Sequence, residues 1–88
     1  MARGGALKVT RLFFNTFYPD AAEAVLAELR RLCSEVVVSR SRVVDTLYYV
    51  ELKGFDDPSR VVEVVRRVGG DKVFGVKAYV VEVGGSAG

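Results

Sequence analysis

Asp57-Pro58-Ser59-Arg60-Val61-Val62-Glu63-Val64-Val65-Arg66-Arg67-Val68-Gly69-Gly70 is the stretch on which the fold turns. Valine is a poor helix former because its branched β-carbon is stiff. These valines nevertheless do not alternate as a strand would. Val61, Val62, Val64, Val65 and Val68 stripe one helical face, with Glu63, Arg66 and Arg67 opposite. Glu63 and Arg67 stand at the favourable four-residue spacing. Asp57 is placed to cap the first turn, and Pro58 takes the first helical position, where its missing N–H costs nothing. Gly69-Gly70 supplies a left-handed stop. The spacing therefore predicts a helix.

Working outward, Gly54-Phe55-Asp56 leads into that helix from a β-rich region. Glu35 to Arg42 and Val43 to Lys53 read as two strands, and Ser39-Arg40-Ser41-Arg42 is a break short enough to allow only an antiparallel hairpin. Further upstream, Tyr18-Pro19-Asp20 ends a strand over Leu7 to Asn15. Asp20 with Glu23 forms a capping-box-like pair, so a helix is predicted from Ala21. Its apolar residues Ala22, Val25, Leu26, Leu29, Leu32 and Cys33 recur at steps of three and four. Downstream, Lys72 to Val83 reads as a last strand with Gly75 near its start. The order strand, helix, strand, strand, helix, strand predicts an α+β chain. Its expected form is a ferredoxin-like βαββαβ sandwich, with two helices on one face of a four-stranded antiparallel sheet. The glycine-rich ends, residues 1–5 and 84–88, read as flexible tails around a single domain over residues 6–83.

Composition narrows function further. Of the 88 residues, 50% are apolar and 27% charged, with 13 Lys plus Arg against 11 Asp plus Glu, which describes a small globular domain. With no histidine, His-based triads and imidazole acid–base catalysis are excluded. Cys33 stands alone, so neither a disulfide framework nor a cysteine-cluster zinc site forms within one chain. No apolar run approaches the ~20 residues of a membrane span. Met1 to Gly5 lacks the apolar middle of a secretory signal, so a soluble cytoplasmic chain is the expectation. The abundance of Val and Arg, with no Gln and a single Asn, resembles thermophile proteomes.

Alternation across the strands assigns the uncovered sheet face. Asp45, Leu47, Tyr49 and Glu51 form the outward set of the third strand. Arg11, Phe13 and Asn15 form that of the first, and Lys77, Tyr79 and Val81 that of the last. Phe13 and Tyr49 are expected side by side, with Leu47, Tyr79, Arg11 and Lys77 around them. Flat rings beside cations are what a single-stranded nucleic acid needs, because bases stack while cations hold phosphates.

At these residues the chain resembles the RNA recognition motif family over Leu7 to Val83. In that family's first-strand hexamer, Leu12-Phe13-Phe14-Asn15-Thr16-Phe17 matches at Leu12 and Phe13, with the Asn one place early. In the third-strand octamer, Asp45-Thr46-Leu47-Tyr48-Tyr49-Val50-Glu51-Leu52 keeps Tyr49 and Val50. Asp45 stands where the family has a basic residue, and Leu47 replaces a ring. The run from Glu51 through Pro58, then Gly69-Gly70 and Phe74-Gly75-Val76-Lys77-Ala78-Tyr79-Val80, is also similar. The resemblance implies single-stranded RNA binding with Phe13 as the first stacking ring.

The resulting expectation is a non-catalytic binding domain without cofactor or metal. Phe13, Tyr49 and Tyr79 stack bases, while Arg11, Lys77, Arg40 and Arg42 contact phosphates. The competing expectation is a ferredoxin-like protein-interaction or ligand-sensing module that homodimerises, or binds a protein partner, through the same sheet. Cys33 reads as a small core residue with no base to activate it. Gly69-Gly70-Asp71-Lys72 lacks the spacing of a phosphate loop. Asp56 and Asp57 read as capping residues. Asp45 and Glu51, about 20 Å apart along one strand, are too distant for a catalytic carboxylate pair.

Overall fold

The computed structural model describes residues 7–83, and the tails read at residues 1–5 and 84–88 lie outside them. The elements are β1 (Leu7–Thr16), α1 (Pro19–Leu32), β2 (Val36–Arg40), β3 (Leu47–Lys53), α2 (Pro58–Gly69), a single 3-10 turn (Gly70–Lys72) and β4 (Val73–Val83). The four strands form one antiparallel sheet in the order β2-β3-β1-β4. This is the predicted α+β chain of four antiparallel strands and two helices.

The valine-rich stretch is helical because its apolar stripe finds a core. Val61, Val64 and Val65 are buried with Val25, Leu26 and Leu29 of α1 against Leu12, Phe14, Val50 and Leu52 of the sheet, in a single cluster. Burial of this kind outweighs the small helix penalty of each valine, a few tenths of a kcal/mol up to about 0.7. Asp57 caps α2 as expected, its carboxylate accepting from the Arg60 amide at 3.1 Å. Gly70 ends the helix at φ +59° and ψ −137°, a positive-φ conformation open to glycine but outside the left-handed helical region that the sequence suggests.

Helix α1 starts differently from the sequence expectation. It begins at Pro19, not Ala21, and no side chain caps it; the Tyr18 carbonyl accepts from the amides of Ala21 and Ala22 at 3.0 and 3.1 Å. Proline fixes the first turn and needs no hydrogen bond there, so Asp20 falls inside that turn, where its charge faces the positive end of the helix dipole. The hairpin strands are also shorter than read. Residues 41–46 form the connection, and Val43 and Val44 are exposed in it. The Ser41 hydroxyl accepts from both their amides, which diverts this backbone from the ladder.

The sheet registers place Thr10, Leu12, Phe14 and Thr16 of β1 toward the helices, and Arg11, Phe13 and Asn15 away from them. Two hydroxyls on the covered side close the polar account: Thr10 donates to the Phe55 carbonyl and Thr16 to the Lys72 carbonyl, the latter at 2.7 Å. Cys33 is buried, its thiol against the carbonyls of Lys53 and Glu35 at 3.3 and 3.4 Å.

One irregularity changes what the open face carries. Phe13 pairs with Lys77, but Asn15 pairs with Phe74, so the single residue Phe14 faces both Gly75 and Val76. Gly75, at φ +61°, is the bulged residue. A β-carbon there would approach Asn15 Nδ2 to 2.7 Å. Gly75→Ala is expected to cost about 1–3 kcal/mol, from the left-handed conformation and the displaced Asn15. Urea unfolding measures this, and an unchanged midpoint would contradict the bulge geometry.

Candidate functional site

The face of the sheet turned away from the helices carries a ring cluster built from three strands. Phe13 on the central strand β1 is directly opposite Tyr49 of β3, and the ring centroids are 4.8 Å apart, tilted by 35°. On its other flank the Tyr79 ring lies 6.2 Å away, nearly parallel at 18°. Aromatic pairs at such separations contribute about 0.5–1.5 kcal/mol beyond their burial. Phe13 and Tyr49 are half-buried by this mutual contact, whereas Tyr79 is 38% exposed.

A polar row stiffens the cluster. Arg11 is paired in register with Glu51 on one side and Tyr79 on the other. The Tyr49 hydroxyl donates to Glu51 Oε2 at 2.7 Å, and Arg11 Nε lies 3.7 Å from the same oxygen. Among the described residues that Nε is buried without a hydrogen-bond partner. Arg11 is held above the ordinary arginine pKa by the Tyr79 side chain first, then by Tyr49 and Glu51. Burial, and then the hydrogen bond to Glu51, push Tyr49 up to about 12.

Most of the residues read from the sequence come together here, and two do not. Phe13, Tyr49, Tyr79, Arg11 and Lys77 share the open face through adjacent register pairs. Arg40 pairs with the inward residue Tyr48, and its guanidinium sits over the Tyr48 ring at 4.8 Å, on the helix side of the sheet. It also donates to the Asp45 carbonyl at 2.7 Å. The β-strand parity that sends Tyr49 outward sends Arg40 the other way. Arg42 is exposed in the connection over residues 41–46 rather than on a strand.

Sequence reasoning missed three contributors. Lys53 continues the outward parity of β3, so the outward strand positions carry Arg11, Lys53 and Lys77 against one carboxylate, Glu51. Phe74 reaches the open face only because of the bulge, and Phe17 stacks on it at 5.5 Å. The signal for Phe74 was Gly75 inside a strand, which marks a shift of parity. Among the described residues no three metal-ligating side chains cluster, and no helix is long and apolar enough to cross a membrane. No protein-family model, curated protein or solved structure matches the chain.

The Tyr49 environment gives a pH signature with a fixed sign. Because folding raises its pKa above the ordinary value of 10, its contribution to stability is fully present below pH 10 and is lost as pH rises through about 12. A titration of phenolate absorbance should therefore contain a step near pH 12 that is absent from Tyr49→Phe. An identical titration curve in that variant would contradict the burial and the Glu51 contact.

Proposed function

We propose that this chain is a ferredoxin-like domain similar to RNA recognition motifs, and that its open sheet face binds single-stranded nucleic acid, RNA in the first instance. The strand order, read from its other edge as β4-β1-β3-β2, supports the fold reading, since it puts β1 and β3 at the centre with a helix following β1 and another following β3. The observation that carries the function is the cluster of Phe13, Tyr49 and Tyr79 on the face turned away from the helices, whose outward charges among the described residues are three cations and one carboxylate. A base stacked on such a ring contributes about 1–3 kcal/mol regardless of its identity, so the surface favours single strands over sequence.

Within this reading the rings have unequal roles. Tyr79 is the accessible ring at the edge, and Phe13 with Tyr49 forms the rigid centre. Lys77, paired with Phe13 across the ladder, and Lys53 are the phosphate ligands on the sheet, and Arg42, exposed in the connection over residues 41–46, is the third. Arg11 is engaged by Glu51, so it orients the rings more than it binds phosphate.

Fluorescence anisotropy with a short single-stranded RNA pool tests the proposal. Affinity is expected to fall with salt with a log–log slope near −2, about −0.7 for each of three phosphate contacts. Tyr49→Ala should weaken binding by at least about fivefold, the low end of the stacking range. Glu51→Gln should strengthen binding and steepen the slope by about 0.7, since it releases Arg11 to a phosphate. Equal binding by wild type and Tyr49→Ala would overturn the stacking role. No binding, together with a dimer in light scattering that shields Tyr49, would instead assign the face to self-association.

A further inference from the structure

We infer that the open face carries a second stacking station, the Phe17–Phe74 pair, so that one single strand runs along β1 from Phe13, past Asn15, to these two rings. This deepens the nucleic-acid reading and rests on it.

The pair is unusual in its exposure. Phe17 is 73% and Phe74 46% exposed, although the rings stack on one another at 5.5 Å and 30°. A phenylalanine pair held together in water, with its outer surfaces uncovered, leaves apolar area that a base can cover at no cost in ring ordering. The pair also lies on the same face as the first station. Phe74 is opposite Asn15, the next outward residue of β1 after Phe13, so its row lies about 7 Å further along the strand.

The backbone is arranged to put it there. Without the extra residue at Gly75, Phe74 would take the inward parity of Val76 and Ala78 and turn toward the helices. The bulge instead moves it outward, and the Asn15 side chain holds the junction. Asn15 Oδ1 accepts from the Thr46 hydroxyl at 3.0 Å, and its Nδ2 donates to the Phe74 carbonyl at 3.5 Å. Phe17 is fixed from the other side, because Thr16 ties β1 to the Lys72 carbonyl at 2.7 Å and accepts from the Tyr18 amide at 3.1 Å.

Charge marks the same path. Lys77 stands beside the first station, opposite Phe13, and Lys72 stands at the far end, its ammonium 5.4 Å from the Tyr18 ring centre. A phosphate chain passing from the first rings to the second therefore has a cation beside each. The occupant fitted to two separated ring stations, with one cation beside the first and another at the far end, is an extended single strand.

The test is a length series of single-stranded RNA homopolymers, from three to ten nucleotides, measured by competition against a labelled strand. Wild type should gain affinity as the strand grows long enough to reach Phe17–Phe74. In Phe17→Ala that gain should shrink by roughly 5- to 150-fold, the stacking contribution of one base, while binding of the shortest strand is unchanged. Phe74→Ser should act the same way, and both variants should stay folded, their thermal midpoints lowered by no more than about 10 °C for the lost ring pair. If long strands bind Phe17→Ala and Phe74→Ser as they bind wild type, the second station is wrong and the first survives. If no strand of any length binds wild type, both readings fall together.

Discussion

Strand β1 is the constraint on which the rest depends. It alone is hydrogen-bonded on both edges to long strands, β3 and β4, and its inward residues Leu12 and Phe14 have no exposed surface at all. Because side chains alternate, burying Leu12 and Phe14 compels Arg11, Phe13 and Asn15 outward. A slip of one residue would put Arg11 and Asn15 into the core and two large apolar side chains into water, at a cost of several kcal/mol. The ring cluster of the open face is thus the reverse side of the core. Every pair on it, Phe13 with Tyr49, Arg11 with Glu51 and Arg11 with Tyr79, follows from that register.

The same reasoning explains why the fold could be read from residues. Outward positions of β1, β3 and the later part of β4 were legible because charged residues at every second place, such as Arg11, Glu51 and Lys77, fix parity. The helix over the valine run was legible because Asp57, Pro58 and Gly70 bound it on both sides. What escaped depended on local backbone choices with near-equal energies. Proline at the first turn made an Asp20 cap unnecessary, and Ser41 drew Val43 and Val44 out of the hairpin. Arg40 lies on β2, on the helix side, and not in a loop beside the open face, because the hairpin's turn sets the parity of β2 and residues 41–46 give no sign of where that turn begins. The Gly75 bulge was hidden for a related reason. One glycine marks a possible irregularity, but only the register with Asn15 tells which neighbour changes face.

The chemistry of the open face reflects a competition that this register sets up. Glu51 takes the Tyr49 hydroxyl and lies against Arg11, so the carboxylate both stiffens the rings and withholds a cation from any anionic ligand. The proposed platform therefore relies on Lys77 and Lys53 for charge and on ring area for most of its affinity. On the proposed reading such a surface binds weakly per nucleotide, and length is the natural way to gain affinity. That is what a second pair of rings, turned outward by the bulge, provides.

Mapping backbone amide chemical shifts by NMR while single-stranded RNA is added tests the central claim most directly. The account expects shifts that saturate together at Arg11, Phe13, Tyr49, Lys77 and Tyr79, with the α1 and α2 amides unmoved. Shifts concentrated on the helices or the β2 edge, with the β1 amides unmoved, would contradict it.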